Sequence, residues 1–326
     1  MLEDKPRVVI TDADDLDYTI ALELLAAAGI EAAYLDTRDR QVILDAGRHC
    51  DGIIVGYAAL DADMIDRMPK LRAIATMSAG FDMVDVAAAA ARDIPVCTVP
   101  SVATKDVATH AFAGLLSLIR ELPRSHAATL RGDWTGEGLP VPPRVSELTL
   151  GIVGFGRIAQ YLAEIARPVF GSVIACDPFV APENWPDWVR RGDLPDVLAA
   201  ANVLSLHTPL TDQTRHILDA EALALLPAGA YVANVARGAL IDEDALLDAL
   251  ATGRVAGAML DVLEQEPAPA DHPLVSHPRV IVTPHAAYRS NVSLREYVAL
   301  PARNIIACLQ GREPETPLRQ ALAAAK

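Results

Sequence analysis

A strand-like run, Leu150 to Val153, leads directly into Gly154-Phe155-Gly156-Arg157-Ile158-Ala159, and an apolar helical stretch, Ile158 to Ala166, follows at once. Glycine at the first position permits a tight turn. Glycine at the second lets the backbone approach a pyrophosphate lying at the positive end of the helix. Alanine at the third position loosens the packing of helix on strand slightly. Gly154 and Gly156 are therefore candidate cofactor-binding residues. At the end of the next strand-like run, Val173 to Cys176, stands Asp177. A carboxylate there can accept both ribose hydroxyls, would repel a 2′-phosphate, and has no Arg immediately after it to hold one. NAD is expected over NADP.

Short β-type runs alternate with Ala- and Leu-rich helical stretches along the whole chain, which predicts stacked βα units and parallel sheet. The N-terminal runs are Arg7 to Ile10, Ala32 to Leu35, Gly52 to Val55, Arg72 to Ala75 and Pro95 to Thr98, with helices such as Ile20 to Ala28 and Val84 to Ala91 between them. Ala103 to Leu122 reads as one long apolar helix ended by Pro123, because proline disfavours helical geometry in the residue before it. Gly132 to Pro143 reads as a loop or arm. A second series follows, with runs at Leu150 to Val153, Val173 to Cys176, Val203 to Leu206, Ala230 to Asn234, Ala256 to Leu260 and Val280 to Thr283, the content of a dinucleotide-binding sheet. The tail holds a helical stretch, Leu294 to Leu309.

At 326 residues the chain is long enough for two domains of roughly 100 to 200 residues each. A net charge of −15, with no basic run longer than Arg190-Arg191, argues against a nucleic-acid partner. The longest stretches without charged side chains, Val197 to Thr211 and Ala222 to Ala236, are too short and too interrupted by Pro or Gly to span a membrane. The start, Met1-Leu2-Glu3-Asp4-Lys5-Pro6-Arg7, lacks a signal-peptide pattern, so a cytoplasmic location is expected. Cys50, Cys97, Cys176 and Cys308 form no C-x-x-C and read as buried free thiols. The histidines show no metal-ligand spacing, His272 and His277 flanking a Pro-rich loop, so no metal site is expected. No G-x-S-x-G follows any strand. Trp134, Trp185 and Trp188 read as packing anchors.

Three further motifs end later strands, where ligands of open α/β sheets bind. They are Asn234-Val235-Ala236-Arg237-Gly238, Asp261-Val262-Leu263-Glu264-Gln265-Glu266-Pro267 and Thr283-Pro284-His285-Ala286-Ala287. Together they supply a cation, a carboxylate and an imidazole, a trio suited to reduction of a 2-keto acid. Arg237 can grip a carboxylate and polarise the adjacent carbonyl. His285 can protonate the carbonyl oxygen as hydride arrives, and remove the hydroxyl proton in reverse. Glu266 can bond the other ring nitrogen, fixing the tautomer and favouring the imidazolium.

With the glycine turn, this trio resembles the D-isomer-specific 2-hydroxyacid dehydrogenases, over about Leu71 to Ala287. The resemblance implies Arg237, Glu266 and His285 as catalytic residues. It implies NAD contacts at Arg157, Ile158, Thr208, Pro209, Val235, Ala236, Asp261 and Ala287. Substrate would be bound by the Ser78-Ala79-Gly80 loop, with Arg237 and His285. It further implies an α/β protein of two doubly wound parallel-sheet domains, a Rossmann NAD-binding domain (102–288) inserted in a discontinuous, flavodoxin-like substrate domain (1–101 and 289–326), with the cleft between them. Pairing as a homodimer would run through the cofactor domains, with Ala103 to Pro143 supplying contacts. Met83 stands where an Asn is common, and Arg144 to Thr149 looks shortened. Glu266 is not the Gln of formate-oxidising members, and Ala79 is not the Lys of phosphite-oxidising ones. The expected activity is NAD(H)-linked interconversion of a small 2-keto acid, such as glyoxylate or hydroxypyruvate, and a D-2-hydroxy acid. Tyr57 and Tyr288 are candidate pocket walls. An NAD-sensing interaction protein, resembling the dehydrogenase-like corepressors, is the alternative.

Overall fold

The computed structural model describes residues 5–14 and 16–318; Met1 to Asp4 of the charged N-terminus and the tail from 319 lie outside them. The chain packs into two compact units, one holding the residues up to Val102 together with those from Ser290, the other Ala103–Arg289. Both are parallel α/β sheets.

The first unit runs β1 (Arg7–Ile10), α1 (Thr19–Ala27), β2 (Glu31–Tyr34), α2 (Arg40–Gly47), β3 (Gly52–Val55), α3 (Ala62–Asp66), β4 (Ala73–Thr76), α4 (Val86–Ala91) and β5 (Val96–Cys97). Its strand order is β2-β1-β3-β4-β5, with every pairing parallel. Every residue of β3 and β4 is buried, as expected of parallel strands covered on both faces. Side-chain alternation divides them between two cores. Ile53, Val55 and Ile74 join Ile43 and Leu44 of α2 and Met64 of α3 on one face. Ile54, Ala73, Ala75 and Cys97 lie on the other, under Val298, Ala302 and Ile305 of a late helix, Asn291–Leu309.

The second unit opens with α5 (Thr104–Ile119) and α6 (Leu122–Leu130). It continues β6 (Thr149–Val153), α7 (Arg157–Ala166), β7 (Ser172–Cys176), β8 (Arg190–Arg191), α8 (Leu194–Ala200), β9 (Val203–Leu206), α9 (Ala220–Leu225), β10 (Ala230–Asn234), α10 (Glu243–Thr252), β11 (Val255–Leu260), α11 (Pro273–Ser276) and β12 (Val280–Val282). The Asn291–Leu309 helix, α12, then returns the chain to the first unit. Strand order is β12-β11-β10-β9-β6-β7-β8, so the winding reverses between β6 and β9. Ligands of such sheets bind outside the carboxyl ends of the strands at that reversal.

Several expectations need correction. The long helix ends at Ile119, and Pro123 lies in the first turn of a second helix instead of ending the first. A proline is tolerated there because that N–H would lack an intrahelical partner anyway. The break is Glu121, at a φ of 54°. The second sheet has a seventh strand, Arg190–Arg191, which is exposed and carries no apolar alternation; pairing to Ile174 and Ala175 defines it. Trp134 is no packing anchor, being 84% exposed, whereas Trp185 stacks on Phe155 with ring centroids 4.5 Å apart. All four cysteines are free thiols, but only Cys50 and Cys97 are fully buried.

Candidate active site

The glycine turn sits at the carboxyl end of β6, beside the end of β9. Gly154 has a φ of +85°, and a Cβ on it would stand 2.8 Å from the His207 carbonyl carbon and oxygen and 2.9 Å from Thr208 Cγ2. Only glycine fits. A Cβ on Gly156 would meet nothing within 4 Å, so open space lies before the first turn of α7, where unpaired amides favour an anion. The Thr208 hydroxyl is buried and has no hydrogen-bond partner. A buried hydroxyl left so costs ~1–3 kcal/mol, and a ligand accepting or donating there would recover it. The cradle therefore fits a dinucleotide. Neighbouring His207 bonds Ser205 Oγ at 2.8 Å, and burial pushes its ring down to about 4, leaving it neutral at physiological pH.

Asp177 follows β7. One carboxylate oxygen accepts the Phe155 N–H at 2.7 Å and the other accepts the Phe179 N–H at 2.8 Å. The acid is thereby tied to the glycine turn itself, which fixes its position relative to the cradle.

Arg237 follows β10 in a turn built by Asn234, which is 1% exposed. The Asn234 amide donates to the Arg237 carbonyl at 2.8 Å, and its oxygen accepts the Ala236 N–H at 3.0 Å. A Cβ on Gly238 would lie 2.0 Å from the Leu263 carbonyl carbon, so glycine is required for the turn to press against the backbone of the segment carrying Glu266. Asn234 and Gly238 carry no role in the sequence reading, although both stand in the motif that drew attention to Arg237.

Glu266 and His285 meet, Oε2 lying 2.7 Å from Nδ1. The second Glu266 oxygen accepts the Leu263 N–H at 3.1 Å. Burial works to raise the Glu266 pKa, but the His285 hydrogen bond and charge, the Leu263 N–H and the Arg237 charge outweigh it and hold the carboxyl below its ordinary value. The trio is thus one electrostatic cluster. His285 has a φ of 51°, unusual for a side chain with a Cβ, and its N–H points to the carbonyls of Asp261 at 2.8 Å and Thr283 at 2.9 Å. With Nδ1 engaged by Glu266, Nε2 is the ring atom placed to exchange a proton.

Asp261 is 2% exposed and holds the turn after His285, accepting the Ala286 N–H at 2.8 Å and the Ala287 N–H at 2.9 Å. Of the other implied cofactor residues, Arg157 and Ile158 open α7, Pro209 follows Thr208, and Val235 and Ala236 lie in the Asn234 turn.

In the first unit, Ser78, Ala79 and Gly80 follow β4, next to the end of β3. The Ser78 hydroxyl donates to the Gly80 carbonyl at 2.7 Å, closing a tight loop. Beside it, the buried Asp12 accepts the N–H groups of Gly56, Tyr57 and Ala58 at 3.1, 2.8 and 3.2 Å and the Arg38 Nε at 2.9 Å. The Arg38 guanidinium also lies 5.0 Å over the Tyr57 ring. The only sequence signal for Asp12 was a carboxylate closing an apolar strand.

Residues 112–287 match the model of the D-isomer specific 2-hydroxyacid dehydrogenase NAD binding domain. The chain is 36% identical over 283 residues to an (S)-sulfolactate dehydrogenase of Chromohalobacter salexigens, covering 86% of this chain and 91% of that one. It is 36% identical over 284 residues to a D-3-phosphoglycerate dehydrogenase of Mycobacterium bovis, covering 86% of this chain and 52% of that one. The chain therefore spans about half the length of the D-3-phosphoglycerate dehydrogenases it matches. Among solved structures, the TT0316 protein of Thermus thermophilus matches with a TM-score of 0.85 at 35% identity, over 96% of this chain and 99% of that one.

Proposed function

The chain belongs to the D-isomer specific 2-hydroxyacid dehydrogenases, and from that premise we propose that it interconverts a small 2-keto acid and a D-2-hydroxy acid. The observation that carries this reading is the 2.7 Å Glu266–His285 pair within the charge field of Arg237. The cofactor is NAD, for which residues 112–287 match a binding domain. When bound, it supplies or accepts the hydride.

The chain's own residues do the rest. Arg237 holds the substrate carboxylate and draws electron density from the carbonyl oxygen. His285 Nε2 delivers a proton to that oxygen, and Glu266 keeps Nδ1 protonated and the ring in place. Ser78, Ala79 and Gly80 of the first unit also belong to substrate binding, and the glycine turn with Asp177 of the second holds the cofactor. We favour turnover over NAD sensing because the relatives described above are named dehydrogenases. Purified protein is expected to oxidise NADH with at least one member of a panel spanning glyoxylate, hydroxypyruvate and pyruvate, giving the D product on chiral analysis. No NADH loss across the panel would sink the proposal.

Asp177→Ala is expected to raise KM for NADH and to narrow the preference over NADPH, since the acid favours ribose hydroxyls and repels a 2′-phosphate. Kinetics with both coenzymes test this, and an unchanged ratio removes Asp177 from cofactor selection.

We also assign a cytoplasmic location and a homodimer. No helix among the described residues is long and apolar enough to cross a membrane. Leu130, Trp134 and Val141 are 75%, 84% and 94% exposed, an apolar arm suited to covering by a second copy. Light scattering should give twice the 34.7 kDa chain mass, and a monomer at assay concentration refutes the pairing.

A further inference from the structure

We propose that His110 is a positioning residue for the reaction, holding the His285 turn in its reactive shape through Thr283 and Asp261; the proposal rests on the dehydrogenase reading above. His110 stands in α5, which packs against β10, β11 and β12. Its Nε2 lies 3.0 Å from Thr283 Oγ1 and 3.6 Å from Asp261 Oδ1. The Thr283 hydroxyl donates to Asp261 Oδ1 at 2.5 Å.

The proton inventory fixes the direction of this chain. A threonine hydroxyl has one proton, and Thr283 gives it to Asp261, so its oxygen can only accept from the imidazole. His110 must therefore carry hydrogen on Nε2. Asp261, oriented by that chain, receives the Ala286 and Ala287 amides on its two oxygens. Its backbone carbonyl also receives the His285 N–H. His285 thus sits at a φ of 51° inside a turn clamped on both sides by one buried carboxylate residue. Such a conformation persists only where its surroundings over-determine it. His110 supplies the outermost of those restraints, and its ring bonds Thr283 rather than Glu266 or Arg237.

The test compares His110→Ala with His110→Gln, whose amide can still present an N–H to Thr283. Two readouts are taken: steady-state reduction of 2-keto acids with NADH, and hydrogen exchange of the Ala286 and Ala287 amides. His110→Ala is expected to lower kcat about tenfold to a hundredfold with little change in substrate KM, as expected of a misplaced acid, and to speed exchange at both amides. His110→Gln is expected to recover most of both. Unchanged kcat together with unchanged exchange in His110→Ala would overturn the proposal. Equal impairment of both variants with an equal fall in Tm would also overturn it, since that is the signature of packing alone. If the wild-type protein reduces no 2-keto acid, the functional reading fails, while the exchange comparison still decides whether His110 holds the turn.

Discussion

Replacing His285 by Asn is expected to lower kcat for 2-keto acid reduction by ~10²–10⁴-fold, the range for loss of a positioned acid, with the protein still folded and still binding NADH. The side chain is partly exposed, and among the described residues it is linked to the site by the 2.7 Å bond to Glu266, so its loss removes a proton donor and leaves the core intact. Glu266→Gln is the companion experiment. It keeps a hydrogen-bond acceptor for Nδ1 but removes the carboxylate that holds the ring, so kcat should fall about tenfold or more with little change in substrate KM. Stability at low pH follows from Glu266 itself. Its folded pKa lies below the ordinary 4.5, so its contribution to stability is present above that value and is lost as pH falls through the depressed one. A kcat unchanged in Glu266→Gln would show that the carboxylate does not support the acid.

Arg237→Ala is expected to cost ~10²–10³-fold in kcat, with a rise in KM for the keto acid, because substrate grip and carbonyl polarisation reside in one guanidinium. Arg237→Lys should recover little, since an ammonium cannot grip a carboxylate through two parallel bonds. The Asn234 side chain grips the backbone of Ala236 and Arg237, and Gly238 packs on the Leu263 backbone; both survive either change, so Tm should hold. Reduction of glyoxylate by Arg237→Ala at the wild-type rate would remove Arg237 from the mechanism.

What was legible in the sequence follows from burial. Strands such as Gly52–Val55 and Val203–Leu206 are covered on both faces, so they read as unbroken apolar runs and their bounds came out unchanged. The catalytic trio was legible because each member stands in a loop that follows a strand. Features set by tertiary contact were not. Arg190–Arg191 is a strand only because β7 offers it partners. The break at Glu121 depends on a backbone conformation that no local pattern announced. Gly238 looks optional until the Leu263 backbone is seen against it. His110 and Thr283, 173 residues apart, meet only in the folded sheet.

The late arrival of α12 bears on how the protein is made. Val298, Ala302 and Ile305 complete a core whose other half is finished by Val102, yet about 190 residues intervene. At a synthesis rate of ~5–20 residues per second, the part of that core over β3 and β4 waits ~10–40 s for α12, while α1 already supplies Ala21 and Leu25. The inserted unit has all its strands in hand by then, so the last-begun half of the molecule is ready to fold first.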